Sequence, residues 1–262
     1  MSGRIQLQRQ DALAIVTLSH PGRFNAMSCA MWRELRAVFV SLQQDAALRC
    51  IVLRGEGGHF CAGGDISEYP DFRFSGTGLR DFHENDVWGG LQAVLDCDVP
   101  VVAQIEGNCM GAGVEIACCC DIRIAADASR FGAPIGRLGF PMAPREAALV
   151  LREAGPATVR EMLLEAAVLT AQQMLARGFV QRIVSGEAMA GEIASTTQRI
   201  AALAPQAARL NKQTLRSLQS GAPDALPALL LRPYDSAANP EHREGITAFL
   251  SKRAAEFSVP IP

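Results

Sequence analysis

The sequence predicts an α/β protein whose last part is mainly helical, on three observations. Short apolar strands alternate with stretches of helical periodicity through residues 1–140. Two glycine-rich turns each follow one of those strands, at Gly63-Gly64 and Gly107 to Gly113. Beyond Ala143 the chain is helical in pattern, punctuated by Gly155-Pro156, Ala204-Pro205 and Asn239-Pro240. No linker rich in Gly, Ser or Pro separates the two parts, so they are expected to pack together.

The elements follow in order. Ile5 and Leu7, then Leu13, Ile15 and Thr17, alternate as two strands with a turn at Gln10-Asp11. Ser28 has the chemistry of an N-cap for a helix to about Gln44, with Met31, Leu35, Val38 and Leu42 on one face. Cys50 to Leu53 is a short buried strand. Gly55, Gly57, Gly58, Gly63 and Gly64 make the next segment a loop that needs unusual backbone angles. Residues 70–80 are expected to be a loop, and Asp81 to Leu95 a helix. Pro100 precedes a strand from Val101 to Ile105. Gly107 to Gly113 is a turn feeding a helix to about Cys119, and Ile122 to Ala125 is another strand.

Composition bounds the function. The chain has 262 residues, enough to bury a sizeable core, with 49% hydrophobic and 20% charged residues. That balance excludes a disordered chain. A net charge of −2 leaves no basic excess to neutralise phosphates, so nucleic acid is not an expected partner. The first apolar run, Ala12 to Leu18, is too short for a secretory leader, and Glu106 and Glu115 interrupt the longest apolar stretch. The expectation is a cytoplasmic protein with no membrane partner. The eight cysteines include no C-x-x-C, and His59-x-Cys61 lacks a second pair to complete a zinc site. They are read as reduced structural thiols, with no metal bound.

Usual nucleophile and phosphate-loop motifs are missing. The four histidines, His20, His59, His83 and His242, lie far apart and read as surface or loop residues. The glycines of the second turn run G-x-x-x-G-x-G, which is not the dinucleotide pattern. If a helix starts near Gly111, the Ala112 N–H is one of its unpaired donors. Glu115 then lies one turn on, on the same face. A carboxylate beside an N–H aimed at a ligand suits proton transfer next to a developing oxyanion. It equally suits an acidic residue complementing the helix dipole.

Six segments in order resemble the crotonase superfamily, the enoyl-CoA hydratase/isomerase group. They are His20-Pro21-Gly22-Arg23-Phe24-Asn25-Ala26-Met27, Phe60 to Ile66, Gly107 to Glu115, Cys120 to Ala125, Phe131-Gly132-Ala133-Pro134 with Leu138-Gly139, and Glu244 to Arg253. The resemblance spans nearly the whole chain. It implies a crotonase-like spiral of stacked ββα units over residues 1–200. It also implies a C-terminal helical oligomerisation extension over residues 201–262, giving a homotrimer or a hexamer built as a dimer of trimers. The substrate it implies is an acyl-CoA thioester, with coenzyme A part of that substrate and no separate cofactor. The thioester oxygen would sit between the N–H groups of Gly64 and Ala112, with Glu115 as the acid/base. Arg23, Phe24, Ala62, Asp65, Ile66 and Gly111 would contact substrate or CoA. Phe249 and Lys252 would reach the nucleotide end, from a neighbouring subunit.

One departure matters. Hydratases of this family carry a second glutamate after the Pro of the F-G-x-P segment, and Ile135 stands there. Glu115 could then work alone in enoyl-CoA hydration. It could instead shuttle a proton between carbons, as an isomerase does, or act with another acid among Glu68, Asp71, Asp81, Glu84 and Glu146. Glu146 itself reads as a first-turn dipole residue. A chain that binds acyl-CoA without turnover is the further alternative.

Overall fold

Strands β1 (Arg4–Gln10) and β2 (Leu13–Ser19) form an antiparallel hairpin whose turn contains Asp11 at φ 51°. A computed structural model describes residues 2–219, 234 and 236–257. The hairpin starts a six-stranded sheet, ordered β1-β2-β3-β4-β6-β9 and parallel from β2 onward. Its other members are β3 (Cys50–Gly55), β4 (Val101–Ile105), β6 (Ile122–Ala126) and β9 (Arg182–Val184). A second sheet holds β5 (Asn108–Met110), β7 (Arg130–Gly132) and β8 (Val168–Thr170). The chain thus passes from a large-sheet strand to a small-sheet strand and then to a helix. It does so through β4, β5 and helix α5 (Ala112–Cys118), and again through β6, β7 and α6 (Pro144–Ala154).

The large sheet is apolar on both faces, as a mostly parallel sheet covered on both sides must be. Side chains alternate across it with period two. Ala14, Val16, Leu18, Ile51, Leu53, Val101, Ala103 and Ile105 face the main core. Helix α1 (Cys29–Gln43) supplies Met31, Trp32, Leu35, Phe39 and Leu42 to that core. Ser28 caps α1 as expected, accepting from the Met31 N–H at 3.2 Å. On the opposite face Cys50, Val52, Val102 and Ile124 meet Met189, Ile193 and Ile200 of α9 (Met189–Ala201). All eight cysteines are free, and seven are buried.

The C-terminal helix α10 (Pro205–Gln219) is tied to the core by its cations. Arg209 donates to the carbonyls of Asp45 and Leu48. Lys212 pairs with Asp121 at 2.7 Å, and Arg216 with Asp98 at 2.8 Å. Helix α11 (Pro240–Leu250) follows in the described part of the chain. Among the described residues no helix is long and apolar enough to cross a membrane.

One stretch differs from expectation. Residues 70–80 are helical turns, α2 (Tyr69–Phe72) and α3 (Gly76–Asp81), rather than loop. Ser75 caps α3 by accepting from Gly78 N–H, which offsets two poor helix formers in its first turn. The expected helix from Asp81 is also not uniform. Phe82–Val87 is a π-helical turn, and α4 (Trp88–Asp96) continues from it. Such turns re-aim the side chains they carry, here His83.

Candidate active site

The two glycine turns are laced together by their backbones. Cys61 N–H donates to Asn108 O at 2.9 Å, and Met110 N–H to Cys61 O at 2.8 Å. Gly113 is needed at this seam, because a Cβ there would lie 2.7 Å from the Cys61 carbonyl. Asn25 fastens the first loop by donating to the carbonyls of Glu56 and His59. Ala62 N–H, Asp65 N–H and Gly111 N–H all have backbone acceptors, on Phe24, Met27 and Gly132. Gly64 N–H and Ala112 N–H have none among the described residues. Gly111, at φ 48°, turns the chain from β5 into α5 and leaves Ala112 as the first helical residue, whose N–H has no intrahelical acceptor.

Both unpaired donors line one cavity of about 330 Å³. Glu115 lines it too, one helical turn beyond Ala112. Its side chain is half-buried and lines the cavity. Burial, and secondarily the negative charge of Glu146, push its pKa up to about 8. Folded protein therefore holds a proton on Glu115 that the unfolded chain releases above about 4.5. Stability contributed by this group is full below that point and is lost as pH rises through about 8. Glu115→Gln cannot titrate, so raising pH from 5 to 8 should lower the melting temperature of the parent more than that of the variant. Equal changes in thermal melts would contradict the burial effect.

The remaining walls are largely apolar, from Trp32, Phe82, Val87, Ile135, Phe140 and Met142. Ile135 lines the cavity, so no proton-exchanging group stands at that position. Tyr69 places its hydroxyl over Gly64, where a Cβ would meet it at 2.2 Å. Arg73 stacks on the Phe140 ring at 3.6 Å and the Tyr69 ring at 4.5 Å. It has no carboxylate partner among the described residues.

Of the residues expected from sequence, Ala62, Gly64, Ile66, Gly111, Ala112 and Glu115 line the cavity together. Arg23, Phe24 and Asp65 sit beside the first turn, outside the lining. Asp65 is buried, which opposes its charge. Ser67 and then Arg23, at 2.9 Å, outweigh that and hold its pKa below the usual value. Phe24 packs edge-on against His59 at 4.6 Å. Phe249 and Lys252, at the end of α11, do not line this cavity, and Phe249 is 81% exposed.

Two readings need correction. His83 is neither a surface nor a free loop residue, since it lines the cavity. Glu146 does stand in the first turn of α6, but its side chain is buried and lies 2.9 Å from His83 Nδ1. His20 is likewise buried, 2.7 Å from Ala26 O through its Nδ1. No sequence motif joins His83 to Glu146, because the pair is 63 residues apart.

Comparison with known proteins decides the family. A family model described as enoyl-CoA hydratase/isomerase matches residues 8–259. The chain belongs to the enoyl-CoA hydratase/isomerase family. A probable enoyl-CoA hydratase of Rhizobium meliloti is 30% identical over 96% of each chain. A 2,3-dehydroadipyl-CoA hydratase of Escherichia coli is 29% identical over 96% of this chain and 97% of its own. Among solved structures, an enoyl-CoA hydratase/carnithine racemase from Magnetospirillum magneticum superposes with TM-score 0.94 at 38% identity, covering 98% of this chain and 96% of that one. A family protein from Hyphomonas neptunium gives 0.91 at 29% identity, covering 98% of each. The crotonase-like fold expected from the sequence is the fold found.

Proposed function

We propose that the chain is an enoyl-CoA hydratase, adding water reversibly across the double bond of a 2-enoyl-CoA. The observation that carries this reading is the pair of unpaired N–H groups, Gly64 and Ala112, beside Glu115 in one cavity. Attack at Cβ moves charge onto the thioester oxygen, and two fixed donors stabilise that enolate more than the starting carbonyl. Glu115 exchanges the proton with Cα. Coenzyme A belongs to the substrate, and no further cofactor is invoked. The names carried by the relatives support hydration over isomerisation.

The CoA portion would lie along Ala62, Ile66 and the outer face of the first turn, with Arg23, Phe24 and Asp65 beside it. Exposed Phe24 and Ile66 support this placement. Phe249 and Lys252 would complete the nucleotide end from a neighbouring subunit of a trimer, alone or paired as a hexamer. Ile246, Phe249 and Leu250 form an exposed apolar set on α11 in keeping with such an interface. Free, buried thiols accord with action in the cytoplasm.

Purified protein should remove the absorbance of the conjugated enoyl thioester from at least one of a short, medium, branched or aromatic series. No turnover on any of them would overturn hydration. Ile135 favours a second reading, binding without turnover. It predicts calorimetric affinity for acyl-CoA with no product by mass spectrometry.

A further inference from the structure

The hydration chemistry needs a base for water as well as an acid for Cα, and Ile135 supplies neither. We propose that His83, held by Glu146, is the second acid–base group of this cavity and activates the attacking water. The inference rests on the enoyl-CoA hydratase reading.

Geometry sets the histidine's proton. Glu146 Oε1 lies 2.9 Å from His83 Nδ1 and the carboxylate is only 2% exposed. An ionised carboxylate only accepts, so Nδ1 carries the proton. Arg73 Nη1 stands 3.5 Å from Nε2, at the outer limit of a hydrogen bond. A guanidinium only donates, so it faces a nitrogen with a free lone pair. The ring is thus held in one tautomer, with Nε2 as its basic nitrogen, beside Arg73, which lines the same cavity.

Glu115, in the same cavity, holds its proton more firmly than an ordinary carboxyl, because burial and then the charge of Glu146 raise its pKa to about 8. It is suited to give that proton to Cα rather than to take one from water. Nε2 removes a proton from water as its oxygen bonds to Cβ. The C=C pair moves toward the thioester, and the enolate oxygen is held by Gly64 and Ala112. Glu115 then protonates Cα and the carbonyl re-forms. The imidazolium proton returns to the Glu115 carboxylate, so one water is added and both groups are reset.

Crotonyl-CoA hydration by His83→Asn should fall by about 10²–10⁴-fold in kcat. Exchange of the Cα hydrogen of butyryl-CoA in heavy water needs only Glu115 and the two N–H groups, and it should persist. The acid limb of the kcat/KM–pH profile should vanish in His83→Asn. In Glu146→Gln it should shift to lower pH, because an imidazolium beside a neutral amide is less stabilised. Of the titratable and charged groups around His83, Glu146 and Arg73 touch it, and Tyr69, Glu115 and Arg137 line the same cavity. On its own turn Glu84 is paired with Arg145 and Asp86 with Arg33, so neither is a free charge beside it. A merely structural role would lower the melting temperature without removing that limb. His83→Asn with unchanged kcat and pH profile overturns the base assignment and leaves hydration standing. A parent protein that hydrates no enoyl-CoA overturns the reading beneath it.

Discussion

Glu115→Gln is expected to lower kcat for enoyl-CoA hydration by about 10²–10⁴-fold, the usual contribution of a positioned acid or base. Gln has nearly the same shape and, like the protonated carboxyl, no charge. The change therefore adds no clash and no buried charge. Acyl-CoA affinity by calorimetry should stay within a few-fold of the parent. What is lost is the capacity to exchange a proton with Cα, because an amide neither gives nor takes one at accessible pH. Loss of turnover with binding intact identifies Glu115 as the proton carrier. Unchanged turnover would remove Glu115 from the mechanism and leave the cavity to other groups.

What could be read in the sequence was the chemistry that is local along the chain. Ala112 and Glu115 lie within one helical turn, so an unpaired N–H beside a carboxylate followed from spacing alone. Gly64 joined them through the family resemblance. Its placement rests on the bridge between Met27 and Gly64 and on that between Cys61 and Cys109, which no single segment encodes. Ile135 could be read as a departure from the resembled family's pattern, yet the pair His83–Glu146 could not be read at all. Glu146 satisfies the local rule for an acidic first turn, and its bond to His83 arises only in the folded chain, where α6 packs on α5. Residues 70–80 misled for a similar reason. Glycines and a proline signal a loop locally, while Ser75 and packing of Phe72 and Phe82, 4.6 Å apart, hold the chain helical. The alternation of Leu13, Ile15 and Thr17 marks a strand and picks out only one of its faces. The structure buries Ala14, Val16 and Leu18 as well, because helices cover both sides of the sheet.

Ala112→Pro should cut kcat by about 10²–10³-fold, the cost of deleting one oxyanion donor. The substitution is unusual in removing an N–H without breaking the helix that carries it. Ala112 is the first residue of α5, where proline is tolerated because its N–H has no intrahelical acceptor. A proline also restricts the residue before it, and here that residue is Gly111 at φ 48° and ψ −112°. This is the mirror image of the extended conformation that precedes proline, open to glycine alone. Gly111 N–H keeps its bond to Gly132 O, so the turn stays anchored. Melting temperature should therefore change little. The ring Cδ takes the place of the amide hydrogen, so a thioester oxygen held there is displaced as well as deprived of its donor, and acyl-CoA affinity should fall along with kcat. A variant with parental kcat would show that the thioester oxygen is held elsewhere, and the Tyr69 hydroxyl over Gly64 would be the donor to remove next. A variant that loses both rate and butyryl-CoA affinity while keeping the parental melting temperature would locate the thioester oxygen at Ala112, because the substitution alters only the place to which that N–H points.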